Sequence, residues 1–156
     1  MKSLKIWSLV ALIALAMTAC NKKPGPGGED PKFGGFDKIE QEWKLSTVNG
    51  VPADFNIYIS FVDGVFALYQ QAYTLDFHFY EGEYSISGNT LSGSYFDGTA
   101  WKSDYTGGIS EDGNTMTLKS TESTPVTYVY VACQIPDSVI EEATATRADS
   151  AIAPIL

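Results

Sequence analysis

From about Lys38 onward, apolar and polar residues alternate in short runs. The alternation is clear in Trp43–Val48, in Ile57–Phe61 and in Leu75–Phe79. A period of two residues places neighbouring side chains on opposite faces of a β-strand. Between the runs stand dipeptides that favour tight turns, namely Asn49-Gly50, Asp63-Gly64, Glu81-Gly82, Asp97-Gly98, Gly107-Gly108 and Asp112-Gly113. The pattern therefore predicts about eight short strands, joined mainly by hairpins.

Strands joined by hairpins form an antiparallel meander, and a long meander must hide its two edge strands. It does so either by closing into a barrel or by folding into a sandwich. Because neighbours in the chain are predicted to be neighbours in the sheet, we expect the simpler solution, an antiparallel up-and-down barrel of the all-β class. The last predicted strand, Val126–Cys133, is apolar on both faces and should be central or covered.

The residues after the predicted barrel have a different pattern. Ser138 and Glu141 have the spacing of a capping box, with a hydroxyl residue before the first turn and a carboxylate three positions later. They predict a short helix from Val139 to Arg147. The apolar stretch Ala151–Leu156 is expected to pack against the outside of the barrel or to fray.

The first residues have the composition of an export signal. Lys2 and Lys5 precede an apolar stretch, Ile6–Met17, of about 12 residues. A transmembrane helix needs about 20 apolar residues, whereas the apolar region of a signal peptide has about 7–15. The stretch leads into Met17-Thr18-Ala19-Cys20, which resembles the lipobox of bacterial lipoproteins, where the cysteine is acylated before cleavage. Ordinary secretion is the alternative, because Ala14-Leu15-Ala16 also offers a small-x-small cleavage site.

These features divide the chain into a signal peptide, a Gly- and Pro-rich tether, a barrel, and a helix with its tail, at residues 1–19, 20–37, 38–134 and 135–156 respectively. The tether begins at Cys20, the predicted site of lipidation, where palmitate is among the expected acyl chains. Its composition predicts a flexible spacer between the membrane and the barrel. Phe33 and Phe36, near the end of the tether, are expected to begin docking on the barrel.

The negative charge of the chain disfavours binding partners that are themselves negatively charged. The formal net charge of −9 at pH 7 becomes about −11 when Lys2 and Lys5 leave with the signal peptide. An acidic surface repels nucleic-acid phosphates and anionic lipid headgroups. Nucleic-acid binding is therefore disfavoured, and the acyl chains on Cys20 remain as the membrane attachment. By analogy with other lipoproteins, Asn21 rather than Asp after the cysteine favours the outer membrane, in either leaflet.

Candidate catalytic and metal-binding residues are few. His78 is the only histidine and Cys133 the only cysteine beyond the lipidation site, so these residue types do not supply a zinc site or a supported catalytic triad. His78 alternates with Phe77 and Phe79, and it faces solvent if the phenylalanine face is the core. Cys133 is expected to be a small buried hydrophobe. Most acidic residues stand in turns, and Asp112-Gly113-Asn114 lacks the further ligands of a calcium loop. We therefore expect no enzyme activity, no metal and no cofactor.

Aromatic residues are in excess, at 13% of the sequence. Ligand pockets are mostly apolar and aromatic, but an eight-stranded barrel is also just wide enough to be filled by its own side chains. One set of aromatic residues therefore either lines a ligand pocket or packs the core, and that set is Phe77, Phe79, Tyr95, Trp101 and Tyr105. Stacking of exposed aromatic rings on sugars is a third interpretation, with no motif behind it.

Four motifs follow the lipobox in order, namely Trp43-Lys44-Leu45 with Asn49-Gly50, Tyr84–Leu91, Asp112–Leu118 and Tyr128-Val129-Tyr130. Together they resemble the lipocalin-like domain lipoproteins of Bacteroides-type bacteria, over roughly residues 38–134. The resemblance implies a small lipocalin-like barrel whose interior is suited to an apolar ligand.

Two functions are compatible with the sequence. The first is non-enzymatic binding of a small apolar or amphipathic ligand at the open end of the barrel. The second is a filled barrel that serves as a protein-interaction or accessory module of an envelope complex. The free volume in the barrel would discriminate between them.

Overall fold

The computed structural model describes residues 34–146 and 152–156, so the predicted signal peptide, Cys20 and Phe33 lie outside the described residues. The described strands are β1 (Glu42–Val48), β2 (Val51–Pro52), β3 (Asn56–Val62), β4 (Val65–Gln71), β5 (His78–Ser87), β6 (Thr90–Tyr95), β7 (Tyr105–Ile109), β8 (Thr115–Ser120) and β9 (Thr127–Ala132). One helix, α1 (Asp137–Thr146), follows them.

The strands close into a barrel because the first long strand pairs with the last. From β3 to β9, each strand is antiparallel to its neighbour in the chain, and β1 pairs with both β3 and β9. Trp43 lies opposite Ala132 near one end of the closing pair. Strand β2 is a two-residue extension beside the end of β1. The eight longer strands therefore confirm the predicted antiparallel up-and-down barrel.

One row of side chains from each strand fills the interior. In β3 the row consists of Ile57, Ile59 and Phe61, all wholly buried. The same period of two residues continues around the barrel, where the other wholly buried interior side chains are Trp43, Phe66, Leu68, Leu91, Met116, Leu118 and Tyr130. Removing apolar surface from water contributes about 25 cal/mol per Å², so this continuous row is the main source of stability.

One end of the barrel, the closed end, is covered by residues that precede β1. Phe36 and Ile39 are buried there, and the Trp43 indole N–H donates a hydrogen bond to the Ile39 carbonyl over 3.0 Å. The backbone N–H of Gly34 donates to the carbonyl of Ile109 over 3.0 Å. Phe36 therefore docks on the barrel, as its place in the sequence predicted.

The helix covers the outside of β4 and β5. Its apolar side packs in a second group of apolar residues, the outer cluster, formed by Tyr58, Tyr69, Phe77, Ile135, Val139 and Ala143, with Phe79 and Cys133 packed against it. α1 begins at Asp137, so Ser138 lies within the first turn rather than before it. The predicted last residue of the helix, Arg147, lies outside the described residues.

Two of the predicted turn pairs have the backbone of tight hairpins. Asn49 and Gly50 have φ angles of 51° and 77°, and Asp63 and Gly64 have φ angles of 50° and 80°. Positive φ at both central residues is the signature of a type I′ turn, whose twist matches that of the flanking strands. Asparagine, aspartate and glycine tolerate this conformation better than other residues.

Two other predicted turns, Glu81-Gly82 and Gly107-Gly108, are wrong, because β5 and β7 run through them without interruption. A Cβ on Gly82 would lie 2.0 Å from the Ser94 carbonyl oxygen and 2.8 Å from the Phe66 ring. Glycine is therefore needed here because a neighbouring strand and an aromatic ring approach the backbone closely. Residues 72–77 make the connection between β4 and β5 instead.

The β7–β8 hairpin carries a carboxylate whose ionisation stabilises the fold. Asp112 accepts hydrogen bonds from the Ser110 hydroxyl and from the backbone and side-chain amides of Asn114, which lower its pKa to about 2. A carboxylate with a lowered pKa stabilises the fold above its unfolded pKa of about 4, and that stabilisation is lost as the pH falls through the folded value. We predict that Asp112→Ala lowers the melting temperature at about pH 6, and that the difference shrinks between about pH 4 and pH 2.

Thermal unfolding followed by circular dichroism measures this difference. Glu111→Ala, at the neighbouring exposed acidic residue, is the matched control. A melting-temperature difference between wild type and Asp112→Ala that stayed constant down to about pH 2 would contradict the role assigned to the carboxylate.

Candidate functional site

The open end of the barrel lies opposite the closed end, where β1, β4 and β8 finish and β3, β5 and β9 begin. Some of its inward-facing side chains are polar, unlike those of the closed end. Gln70, His78 and Ser120 are buried there, at 1, 9 and 5% exposure. Gln70 and His78 lie directly opposite each other on β4 and β5, so their side chains share the inner face.

The inward position of His78 corrects the expectation that this side chain faces solvent. That expectation took the row of Phe77 and Phe79 as the core face, but both residues pack in the outer cluster near α1. Because the helix covers the outside of the sheet here, both faces are buried, and an apolar row does not identify the inner one. Within the described residues, neither ring nitrogen of His78 has a hydrogen-bond partner.

The segment Ile152–Leu156, called the tail segment below, occupies the open end. Leu156 is 1% exposed and belongs to the interior core, and Ile155 packs against that core. This position corrects the expectation that the segment packs outside the barrel or frays. By lying in the open end, the tail segment shields interior apolar side chains from water.

Gln70 binds the main chain of the tail segment at two points. Its side-chain Nε2 donates to the Ala153 carbonyl over 3.2 Å, and its Oε1 accepts from the backbone N–H of Ile155 over 2.8 Å. The residue between them, Pro154, has no N–H and therefore leaves no donor unpaired. A buried glutamine amide with partners on both of its polar atoms is well satisfied.

Two tyrosine hydroxyls bind the same segment. Tyr95 donates to the Leu156 carbonyl over 3.0 Å, and Tyr80 donates to the Ile152 carbonyl. Burial raises the pKa of the Tyr95 hydroxyl well above its ordinary value, and the neighbouring Tyr105 and Tyr80 raise it further. Tyr95 therefore stays protonated and remains a hydrogen-bond donor at neutral pH.

Three of the five aromatic residues predicted to bind a ligand lie together inside the barrel. Tyr95 and Trp101 pack edge-on against Phe66, at ring-centroid distances of 5.5 and 5.0 Å. Tyr105 contacts Trp101 at 6.0 Å, also edge-on. The other two are the phenylalanines on either side of His78, and they belong to the outer cluster. The predicted set is therefore divided between the two faces of the sheet.

Trp101 lies where the pairing between strands β6 and β7 is short. Strands β6 and β7 share two residue pairs, Thr90 with Thr106 and Leu91 with Tyr105. Beyond these pairs, the Trp101 backbone N–H donates to the Gly93 carbonyl over 2.9 Å. A Cβ on Gly93 would lie 2.5 Å from the Trp101 ring, so the indole rests directly on the glycine backbone.

Two cavities flank the tail segment at the open end. The first, of about 360 Å³, is lined by residues that include Val48, Phe55, Tyr105, Tyr128 and Ile155. The second, of about 430 Å³, is lined by Phe79, Tyr80, Tyr95, Phe96 and Ile152 among others. The tail segment therefore lines two spaces of a size suited to small molecules.

In residues 34–146 and 152–156, no group of three or more His, Cys, Asp or Glu side chains is arranged to hold a metal ion. The part of the chain that the structure describes also contains no helix long and apolar enough to cross a membrane.

Comparisons with known proteins find similarity of structure and not of sequence. No family model matches the chain, and no curated protein matches it either. An uncharacterized protein from Bacteroides eggerthii superposes with a TM-score of 0.47 and 13% identity, over 61% of this chain and 99% of its own. A lipocalin-like protein from Bacteroides uniformis does so with a TM-score of 0.49 and 13% identity, over 62% and 99%. Apocrustacyanin C2 has a TM-score of 0.41 and 12% identity, over 69% and 68%.

Gln70 and Tyr80 were not among the predicted ligand-binding residues. A signal for Gln70 exists in the sequence, because it continues the inner row of Phe66 and Leu68 and is polar where the row is otherwise apolar. No such signal exists for the tail segment. Its contacts with Gln70 join residues 83 and 85 positions apart, and the local alternation of apolar and polar residues cannot predict contacts between such distant residues.

We predict that Gly93→Ala destabilises the protein by about 1–3 kcal/mol, the usual cost of overpacking, because the added methyl group displaces Trp101. Urea denaturation followed by tryptophan fluorescence measures the free energy of unfolding. Ser94→Ala, the next residue on β6, is the control and should change the free energy of unfolding little. An unchanged stability of Gly93→Ala would show that the indole does not rest on this glycine.

Proposed function

We propose that this chain is a lipid-anchored protein of the cell envelope, whose barrel binds a small apolar or amphipathic molecule at its open end. The observation that carries the proposal is the way in which the open end holds the tail segment. Gln70, Tyr80 and Tyr95 point donors inward, and the tail segment supplies carbonyl oxygens to them from an apolar chain. A site of this kind is suited to molecules with an apolar body and oxygen acceptors.

The lining of the first cavity supports the same class of ligand. Phe55, Tyr105 and Tyr128 give it an aromatic wall, and Lys102 and Glu122 stand on its rim with opposite charges. Burial raises the pKa of Tyr105 and of Tyr128, as does the charge of Glu122 on both, so neither hydroxyl ionises at neutral pH. The cavity wall therefore carries no strong charge preference and favours an uncharged or amphipathic molecule.

We predict that the full chain binds the apolar dye N-phenyl-1-naphthylamine saturably, with an increase in dye fluorescence. Tyr73 lines the first cavity and is 95% exposed, and its φ angle of 68° suits asparagine. Tyr73→Asn should therefore fold normally and weaken dye binding by about two- to tenfold, the effect of losing one aromatic contact.

Val62→Asn is the matched control for the dye titration, because Val62 is an exposed apolar residue, at 58% exposure, on the β3–β4 hairpin away from the open end. It should leave the dye affinity unchanged. Equal weakening by both substitutions would show that the dye binds elsewhere on the surface. Absence of dye binding to the full chain, and to chains in which the tail segment is released, would contradict ligand binding in the barrel.

The membrane anchor is proposed from the resemblance of Met17-Thr18-Ala19-Cys20 to a lipobox. The barrel supports a tether of this kind because Gly34 and Phe36 approach it at the closed end. A chain that is tethered from that side has its open end on the side of the barrel opposite the anchor, where a ligand can approach. The outer membrane is the proposed location, in either leaflet.

We predict that the wild-type chain, expressed in a Gram-negative host, incorporates an alkyne-labelled palmitate and partitions into the detergent phase of Triton X-114. Cys20→Ser should lose both properties, because the thiol is the acylated group. Cys133→Ser is the control and should retain both. Sucrose-gradient fractionation of the two membranes then tests the outer-membrane location. Detergent partitioning that survives Cys20→Ser would exclude the anchor.

A filled barrel that acts as an accessory module of an envelope complex is the second candidate function. It is favoured by the packed interior and by the exposure of Tyr73 and Leu75, at 95% and 90%, on the loop beside the open end. Exposed aromatic residues of this kind are common at protein–protein interfaces. A chain that binds no dye but co-purifies with an envelope protein, and loses it on Tyr73→Asn, would favour this candidate.

A further inference from the structure

We propose that the open end is a peptide-recognition site, that the tail segment is its resident occupant, and that external ligands bind by displacing this segment. The inference deepens the proposed function and rests on it for the existence of an external ligand. It assigns to the site the chemical class of an extended apolar peptide, whether supplied by this chain or from outside.

The first argument is that the site contacts main-chain atoms. The Gln70 amide contacts a carbonyl and an N–H that lie two residues apart, at Ala153 and Ile155. Tyr80 and Tyr95 each donate to a further backbone carbonyl. These contacts would be available to any extended peptide that has the same backbone path, because none of them involves a polar side chain of the tail segment.

The second argument is that the apolar contacts are concentrated at one end of the segment. Leu156 is almost wholly buried in the interior core, and Ile155 packs against it, whereas Ala153 is exposed. Two adjacent aliphatic side chains therefore anchor the segment. An external occupant is expected to need a bulky aliphatic group at this position.

The third argument is that the site contains free volume that the tail segment does not fill, and a polar side chain to which the segment makes no hydrogen bond. His78 is buried opposite Gln70 and has no hydrogen-bond partner among the described residues. Free space lies on both sides of the segment, in cavities of about 360 and 430 Å³. A ligand that replaced the segment could extend into these spaces, and His78 shares the inner face with Gln70, which holds the segment.

Because the segment belongs to the same chain, it competes at a high effective concentration. A tethered ligand of this kind has an effective concentration of the order of millimolar. If the tail segment binds the empty site with a Kd of about 10 µM, it weakens the binding of any external peptide by about 100-fold in the wild-type chain. Releasing the segment should therefore increase affinity for outside ligands.

The test uses the full chain with Ile155→Asp and Leu156→Asp, which place two charges where the core is apolar and should release the segment. The probe is the fluorescein-labelled peptide Ala-Ile-Ala-Pro-Ile-Leu, and binding is followed by fluorescence anisotropy. We expect the double variant to bind the peptide at least about tenfold more tightly than wild type does. Equal affinity, or no binding to a double variant that unfolds cooperatively, would overturn the proposal.

Recognition by Gln70 is tested in the background of the double variant. Gln70→Leu keeps the volume of the side chain and removes both main-chain contacts, so peptide affinity should fall by about tenfold. Gln71→Leu is the matched control, because Gln71 follows on the same strand and points to the opposite face. Equal losses in the two variants would argue against recognition by Gln70.

Two further measurements make the outcome decisive. If the double variant does not fold, Leu156→Ala replaces it and the same order of affinities is expected, with a smaller difference. In the wild-type chain, dye binding should accelerate hydrogen–deuterium exchange of a peptide that covers residues 152–156. Exchange that is unchanged at saturating dye would show that the dye does not displace the segment.

The same proteins separate failure of this inference from failure of the proposed function. Peptide binding to the double variant with no dye binding to either chain would contradict small-molecule binding and leave the peptide site intact. Equal dye binding by wild type and double variant, without peptide binding, would contradict displacement and leave ligand binding intact.

Discussion

Strands β1 and β9 lie side by side from the Trp43–Ala132 pair to the Val48–Tyr128 pair. If they were apart, the sheet would have two free edges, and the apolar row on its inner face would be open to water. Their pairing removes both edges and turns that row into a core. Phe36 and Ile39 cover one end of the barrel, which is the closed end. The tail segment occupies the other end, which is the open end.

At the open end, the barrel interior contains donors that water reaches poorly. A buried donor without an acceptor costs about 1–3 kcal/mol, and Gln70 and Tyr95 would each carry such a cost if they lost their acceptors in an empty, dry site. The tail segment supplies acceptors to both, and to Tyr80 as well. The segment is therefore part of the structure's stability as well as an occupant of the site. The two roles are compatible because a ligand that provides the same acceptors would leave the donors equally satisfied.

The sequence predicted those features that depend on neighbouring residues. Alternation identified most strands, and the Asn49-Gly50 and Asp63-Gly64 pairs identified two tight turns, whose positive φ angles are those of type I′. Alternation alone does not tell which face of a strand is inside when both are covered. Because the helix covers the outside of β5, Phe77 and Phe79 are buried on the outer face of the sheet. The prediction that the phenylalanine row is the inner one, and that His78 faces solvent, is therefore wrong. Of the five aromatic residues predicted to bind a ligand, Tyr95, Trp101 and Tyr105 lie together inside the barrel, whereas the two phenylalanines lie in the outer cluster. Gly82 shows a second limit of prediction from sequence. Glycine is favoured both in turns and where strands approach closely, so its presence did not show which of the two occurs here.

The hydrogen bonds of the tail segment also bear on the order in which the protein folds. They join residues 83 and 85 positions apart, and contacts at such separation form slowly because a long loop must first be ordered. The strand pairs within each hairpin are local and can form sooner. The β1–β9 pairing that closes the barrel, such as Trp43 with Ala132, is equally distant in sequence, so the hairpins are expected to form before both the closure and the tail contacts. An apolar molecule that is present during folding can therefore meet the inner face of the sheet before the tail segment covers it, so a ligand can be enclosed at folding as well as exchanged afterwards.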